Sequence, residues 1–480
     1  IAGALTLQGG GKVTGYYGFV GDPDANFTNS LYARGGATIT GSGSEWITHD
    51  VRVGHTGTAT LTVSASGKVT SSANLEVGTY FNSNGTLNIT AGGFVDTDGN
   101  GYLGVFNGAT GAATVGGAGA LWDVAGGLYV GGNDLSSGGT GTLTVNTGGK
   151  VKAGSLTVWN GSSSIKTGTT ASTTGGIIDI AGALTLQGGG KVTGYYGFVD
   201  GSYTGNFSGI YAGSATIGGT GTDSRWDTAL HFTGYTGTGT LNVNSDGTLK
   251  STDTYVGTLS GANGTLNINA DGFVDTGGNG FLGFFSGATG EATVGGAGAL
   301  WDVNNGLYVG GTAFNSGGTG TLTIATGGTV TAGGVFKLWG AGTLNLNGGT
   351  LNVGSLDMLD NSGAFNFNAG TVNVTNNFSL NGFGAPGSLV LGKFNTMTVG
   401  GTTTLNDFST LDINGGTFST GSLVNNGGFA FNSGTFNLTN SNLVIGAGGL
   451  FGGNVEFDAS RIVNVSNTVT INSGAILGLN

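Results

Sequence analysis

Cysteine is absent from these 480 residues, and proline and methionine occur twice each. Without cysteine there is no disulfide framework, no thiolate metal site and no cysteine nucleophile, and the redox compartment is left open. Charged residues make up 8% of the chain, far below the roughly 25% of ordinary globular domains. The 13 basic and 25 acidic side chains are spread thinly, with a net charge of −12 and no basic block. Phosphate binding needs clustered Lys and Arg, so nucleic acid is not an expected partner. No apolar run reaches the ~18 residues of a membrane helix, so no membrane-spanning segment is expected. What the chain does have is glycine, 106 residues of it, without the G-X-Y period of collagen. With 37% hydrophobic residues and so little charge the chain should fold, and its Gly, Thr, Asn, Ser and Val favour turns and strands over long helices. An all-β protein follows.

Repeats appear at two scales. IAGALTLQGGGKVTGYYGFV begins at Ile1 and again at Ile180, and VGGAGALWDV begins at Val115 and again at Val294, both displaced by 179 residues. Residues 1–160 and 180–340 are thus two copies of one long unit, joined by a Ser/Thr/Gly-rich connector over 161–179, and residues 341–480 follow with shorter phrases such as GTLNLNGGTLNVGSL. Within the first copy Val53-Gly54, Val77-Gly78, Leu103-Gly104 and Val130-Gly131 fall 24, 26 and 27 residues apart. After each of them in turn come GTATLTV, GTLNI, GAATV and GTLTV, in which apolar and polar residues alternate as in strands.

A repeat of about 26 residues cannot bury its own apolar face, but stacked repeats can. The expected fold is therefore a parallel β-helix, or β-solenoid, with Leu, Val, Ile and Phe inside, Thr, Asn and Ser outside, and glycine at the corners. Coils ~4.8 Å apart would make an elongated rod on the order of 100 Å long. A β-propeller, with repeats of ~40–50 residues, fits the spacing less well.

The repeated phrase also resembles a known family. Trp122-Asp123-Val124, LYVGG from Leu128, GTLTV from Gly141 and GGKV from Gly148 are echoed by Trp301, LYVGG from Leu307, GTLTI from Gly320 and GGTV from Gly327. This pattern is similar to the repeats of type V secretion (autotransporter) passengers and PEP-CTERM proteins. The resemblance implies a secreted bacterial surface protein with a right-handed parallel β-helix and no assigned enzymatic activity. The family's C-terminal translocator barrel and its sorting tail are not found in these 480 residues.

Candidate sites are few. Asp96-Thr-Asp98-Gly-Asn100-Gly101 matches the start of a calcium loop, but its twelfth position is Asn107 rather than a bidentate Glu. The second copy reads Asp275-Thr-Gly277-Gly-Asn279, without the middle carboxylate, and a plain Asx turn accounts for both. His49, His55 and His231 read as surface residues, because His49 aligns with Ala229 and His55 with Tyr235 across the duplication. The tryptophan pairs Trp46/Trp226, Trp122/Trp301 and Trp159/Trp339 could stack on sugars, although packing over a coil edge explains their spacing equally well. The aromatic stretch GYYGFVGDPDANFTNSLYARGG from Gly15, matched from Gly194, is expected to bulge from the coil as a contact surface. Thr60/Thr62, Thr142/Thr144 and Thr321/Thr323 suggest an ice-binding face, but Thr86/Asn88 and GAATV interrupt the array.

No catalytic, cofactor or metal residues are assigned, and the chain is not expected to be an enzyme. The expected function is an extracellular structural β-solenoid of a bacterial surface fibre, sheath or adhesive layer. The alternatives are a carbohydrate-binding adhesin that contacts surface polysaccharide and, further off, a polysaccharide-active enzyme. The chain opens on Ile1 in mid-repeat and closes on VTINSGAILGLN, so both ends read as uncapped. Either more chain is expected beyond them or copies join head to tail into a filament. The alternation is directly testable. Leu61→Asp or Leu143→Asp, by burying an unpaired carboxylate, should cost several kcal/mol, whereas Thr62→Asp on the same strand should cost little; equal shifts in thermal melts would mean that the faces are reversed.

Overall fold

A computed structural model describes residues 3–21, 30–160, 162–168, 176–200, 209–219, 222–358, 363–380 and 387–480. The described residues contain strands and turns and no helix, so none is long and apolar enough to cross a membrane. The chain is an all-β parallel solenoid that divides into two compact units, residues 1–252 and 253–480.

In the first unit each coil carries three strands. The first face stacks Thr58–Ser64, Asn84–Ile89, Thr110–Val115 and Thr140–Val145 in parallel, with Leu61, Leu87, Ala113 and Leu143 in one column. On the second face Val69, Val95, Trp122 and Val151 align, and on the third Val77, Leu103, Val130 and Val158. These columns point inward and are completely buried apart from a trace at Ala113. The alternation expected from sequence holds: Leu61 and Leu143 are buried while Thr62 between Leu61 and Val63 faces outward. Parallel in-register stacking lets every strand give and receive backbone hydrogen bonds from the coils above and below, so the inward row needs only apolar side chains.

Corners follow the same economy of space. Gly78, after Val77, has φ +68°, and a Cβ there would lie 2.0 Å from the carbonyl oxygen of Thr110 on the next coil. Both the left-handed backbone and the close approach require glycine. On the corner between the second and third faces an Asx ladder takes over. Asp50 Oδ1 accepts from the Asn74 N–H at 3.1 Å, Asn74 Oδ1 from the Asn100 N–H at 3.0 Å, and Asn100 Oδ1 from the Gly127 N–H at 2.8 Å. Each side chain thereby satisfies a backbone donor that the bend has removed from the strand ladder.

The two sequence copies do not occupy the same faces. Thr238–Val243, the twin of the first-face strand Thr58–Ser64, stacks on residues 214–217, which lie on 183–186 in the column of the third face. Likewise Gly247–Ser251, whose twin Lys68–Ser71 is on the second face, continues the first face through Ser224–Thr233, Lys191–Val199 and Ser164–Lys166. The cause is a doubled visit to one face. Residues 196–199 and 209–212 both lie in the second-face column, with 209–212 inserted between 177–180 and 196–199. The number of turns per copy is then not whole, and the second copy falls one face short.

Two expectations are modified here. The aromatic stretches do not bulge over their described parts: Gly15–Val20 belongs to the strand Lys12–Val20, and Ser30–Ala33 pairs with it in parallel, as 191–199 and 209–212 do in the second copy. Parallel pairing with Glu45–Val53 holds Lys12–Val20 in the coil; residues 22–29 and 201–208 lie outside the described residues. The stretch 161–179 carries the first-face strand Ser164–Lys166 and the start of Ile177–Gln187. Residues 161 and 169–175 of it lie outside the described residues.

In the second unit the columns continue the same logic, with Leu266, Ala292, Leu322 and Leu344 aligned. From Gly342 the coil shortens. Asn352 and Asn373 are stacked partners 21 residues apart, against 26 for Asn74 and Asn100 in the first unit. The outward side there is an asparagine ladder, Asn345–Asn366 at 2.7 Å, Asn347–Asn368 at 2.8 Å and Asn352–Asn373 at 2.8 Å. Stacked amides donate and accept in turn, as in other in-register parallel sheets. Because the corner glycines carry the bends, Gly78→Ala should destabilise the protein by more than 1 kcal/mol, whereas Gly453→Ala, with open space around its Cβ, should leave the melting curve in place; equal shifts would refute the corner account.

Candidate binding surfaces on the coil

Most residues singled out in the sequence are interior or structural. Trp46, Trp122, Trp226 and Trp301 are completely buried, and the indole N–H groups of Trp122 and Trp301 donate to Thr97 and Thr276 Oγ1 at 3.3 and 3.2 Å. They fill the coil rather than cover its edge, and no sugar can reach them. Trp159 is half-buried and Trp339 buried, and each indole N–H is committed to a backbone carbonyl, of Asn133 at 2.8 Å and of Thr312 at 2.7 Å.

The three histidines separate. His49 is partly exposed, stacked on the exposed ring of Tyr16 at 4.6 Å, with its Nδ1 3.2 Å from Asp50 Oδ2. His55 and His231 are buried, contrary to the surface reading. His55 packs between Phe19 and Tyr80, with ring centroids at 5.2 and 4.7 Å. His231 sits in the inward position that Val51 holds in the first copy, opposite Gly197, edge-on to Trp226 at 5.0 Å. Its Nε2 meets Thr233 Oγ1 at 3.1 Å, and burial pushes its pKa down to about 3. At the 180-residue offset His231 falls on Val51, an inward position, and that pairing was the signal for its burial.

The calcium-like turn is a set of structural contacts. Asp96 pairs with Lys68 at 3.5 Å, Asp98 points into solvent, and Asn100 Oδ1 already accepts from Gly127 in the corner ladder. Asn279 does the same for the Gly306 N–H at 3.1 Å. Among the described residues no three His, Asp or Glu side chains are grouped to hold a metal. Most ion pairs run between coils, among them Lys12–Glu45 at 3.3 Å, Arg52–Glu76 at 3.5 Å, Lys152–Asp123 at 3.4 Å and Lys337–Asp357 at 3.4 Å. The Thr rows are interrupted in register as expected, since Thr60 stacks on Thr86, and Thr86 on Ala112.

Aromatic rings also stack from coil to coil within each unit. Tyr102 and Tyr129 lie 5.3 Å apart in the first unit, and Tyr255, Phe281 and Tyr308 follow at 4.8 and 5.2 Å in the second. Burial raises the pKa of Tyr102, Tyr129 and Tyr308, and that of Tyr255 to about 12, so all four phenols stay protonated at ordinary pH.

Sequence reasoning missed one feature altogether. Residues 132–137 and 311–316 form matching loops, each closed by an antiparallel bridge, Gly132 with Ser137 and Gly311 with Ser316. At their tips Leu135 is 84% and Phe314 88% exposed. The usable signal was there, because NDLSSGG and TAFNSGG align at the 179-residue offset and share only an apolar centre and the Ser-Gly-Gly end.

No protein-family pattern and no curated protein matches the chain. Among solved structures, a TibC-catalysed hyper-glycosylated fragment of TibA is similar at 20% identity and a TM-score of 0.26, covering 78% of this chain and 100% of that one. A likeness that weak adds nothing to the fold already read from strand register.

The buried imidazole sets an acid sensitivity. Its folded-state pKa lies below the ordinary 6.5, so the unfolded chain takes up the proton first. That contribution is complete above about pH 6.5 and is lost as pH falls toward 3, by about 1.4 kcal/mol per unit. His231→Val, which restores the residue of the first copy, should flatten the decline of melting temperature over that window relative to the parent chain. An unchanged pH profile would show that His231 is not responsible.

Proposed function

We propose that the protein is a non-enzymatic structural β-solenoid, exposed on a bacterial cell surface as an autotransporter-type or PEP-CTERM-type repeat segment, and that its copies join end to end into a fibre, sheath or adhesive layer. The observation that carries the end-to-end contact is the strand pair at the C-terminal side. Val469–Ile471 and Ile476–Leu479 each pair on one edge only among the described residues, and Val469, Ile471, Ile476 and Leu479 are exposed. Beneath them Leu443, Phe457, Val463, Val469 and Leu477 line an open groove of about 480 Å³. A strand edge beside uncovered apolar residues is a template for one further coil, supplied in this reading by a second copy through strand addition. The contact joins unlike surfaces, so it does not close on itself and propagates.

What supports the non-enzymatic reading is the use already made of the polar groups: carboxylates pair with cations across coils, asparagines cap corners, and the buried histidines are packed by aromatic rings. The repeat phrase around Trp122 and Trp301 supports the surface location. A glycan-binding adhesin is the second reading, favoured by the exposed stacked pair of Tyr16 and His49 beside Asp50.

Electron microscopy of the purified chain tests the first reading. Continuous fibres are expected, and they should disappear when Ile476 and Leu479 are both changed to Asp; isolated particles at all concentrations would overturn the end-to-end contact. Binding on a glycan array that Tyr16→Ala abolishes would favour the adhesin.

A further inference from the structure

The tips of the two matching loops are held as rigid knobs. In the first, Asn133 Oδ1 accepts from the N–H groups of Leu135 and Ser136, both at 2.9 Å, the Asn133 N–H donates to the Ser136 carbonyl at 3.0 Å, and the Trp159 indole N–H ties down the Asn133 carbonyl at 2.8 Å. In the second, Thr312 Oγ1 accepts from Phe314 and Asn315 at 3.2 and 3.0 Å, and Trp339 ties down the Thr312 carbonyl at 2.7 Å. The capping residue has changed from Asn to Thr while the exposed centre has stayed apolar. Folding does not require this, because a tip more than four-fifths exposed gains little from burial within its own chain. A leucine exchanged for a phenylalanine keeps apolar bulk and loses the flat ring, so the feature retained suits an apolar socket better than a sugar face.

The same chain carries a groove of mixed lining. At the corner between the second and third faces of the first unit, the exposed Ala125 and Ala181, with Ala153 and Gly154, line an open groove of about 240 Å³ together with Asp123, Lys152 and Asp179. The strands slip register here, between Val124 and Gly127 and between Ala153 and Leu156, and the small residues leave the corner concave. The groove is open, and an apolar tip can rest on the exposed methyl groups of Ala125 and Ala181. The knob also brings Asp134 beside Leu135, and the partly exposed ammonium of Lys152, 3.4 Å from Asp123, has donors left for a second carboxylate.

We infer that copies of this chain pack side by side, the Leu135 knob of one seated in the Ala125–Ala153–Gly154–Ala181 groove of the next. Knob and groove lie at the same coils but on different corners, the knob between the third and first faces and the groove between the second and third. The contact is therefore heterologous, and each copy can give one knob and receive another. It is lateral, and it stands independently of the end-to-end contact proposed above.

The absence of cysteine makes the test clean. Full-length chain carrying Leu135→Cys together with Ala125→Cys should form intermolecular disulfides on mild oxidation, giving a ladder of oligomers on non-reducing gels. The control pair Leu135→Cys with Thr62→Cys, on the first face, should give only background dimer. Leu135→Asp with Phe314→Asp should keep the parent melting curve and reduce lateral association in sedimentation at least tenfold, and Ala125→Phe should do the same by filling the socket. Equal cross-linking of the two cysteine pairs, or association unchanged by the knob and socket variants, would overturn the proposal. Fibres that persist without cross-links would leave the end-to-end reading standing and remove only the lateral one.

Discussion

Everything in this molecule depends on the parallel, in-register backbone ladder between successive coils. Because each strand is hydrogen-bonded to the strand of the same face one coil away, a residue's neighbours are its counterparts in the repeat. Leu61, Leu87, Ala113 and Leu143 therefore meet one another, as do Val77, Leu103, Val130 and Val158. Like stacks on like outside as well, with amide on amide at Asn352–Asn373 and ring on ring at Tyr102–Tyr129. Charges are the exception that the ladder demands. Like charges in direct register repel, so Lys12 lies opposite Glu45, Arg52 opposite Glu76 and Lys152 opposite Asp123. Where two carboxylates do fall in register, Asp96 on Asp123, a lysine of the neighbouring coil pairs with each, Lys68 with Asp96 and Lys152 with Asp123.

The corners bear the cost of that regularity. Each bend removes backbone groups from the ladder and forces close approach between coils. The chain answers with glycine where the Cβ has no room, and with Asp or Asn where a donor needs a partner. This explains a composition that is rich in both glycine and asparagine but poor in charge. It also explains why the turn at Asp96–Asn100 resembles a calcium loop: an Asx ladder and an EF-hand both place Asp, Asn and Gly at bends, for different ends.

The β-solenoid, the inward and outward alternation and the interrupted Thr rows were legible in the sequence, since they follow from period and alternation alone. Three things were not read from it. The burial of His231 was missed because His49 and His55 were the residues followed across the duplication; His231 itself falls on the inward Val51, 180 residues earlier, whatever face its strand occupies. The aromatic strand at Gly15–Val20 looked like an insertion because its spacing departs from the coil, yet the chain takes up the extra length by visiting one face twice. The loop knobs at Leu135 and Phe314 are short, glycine-flanked and different in sequence. Their rigidity comes from Trp159 and Trp339, each about a coil further along the chain, and such contacts leave no local signature.

The one-face shift between the copies sets how they can act together. Residues 17–20 lie on the third face and their twins 196–199 on the second, so two nearly identical aromatic strands lie on different sides of the coil. Duplication here does not repeat a strand on one side of the coil; whatever the outer surface of that strand presents is presented in two directions.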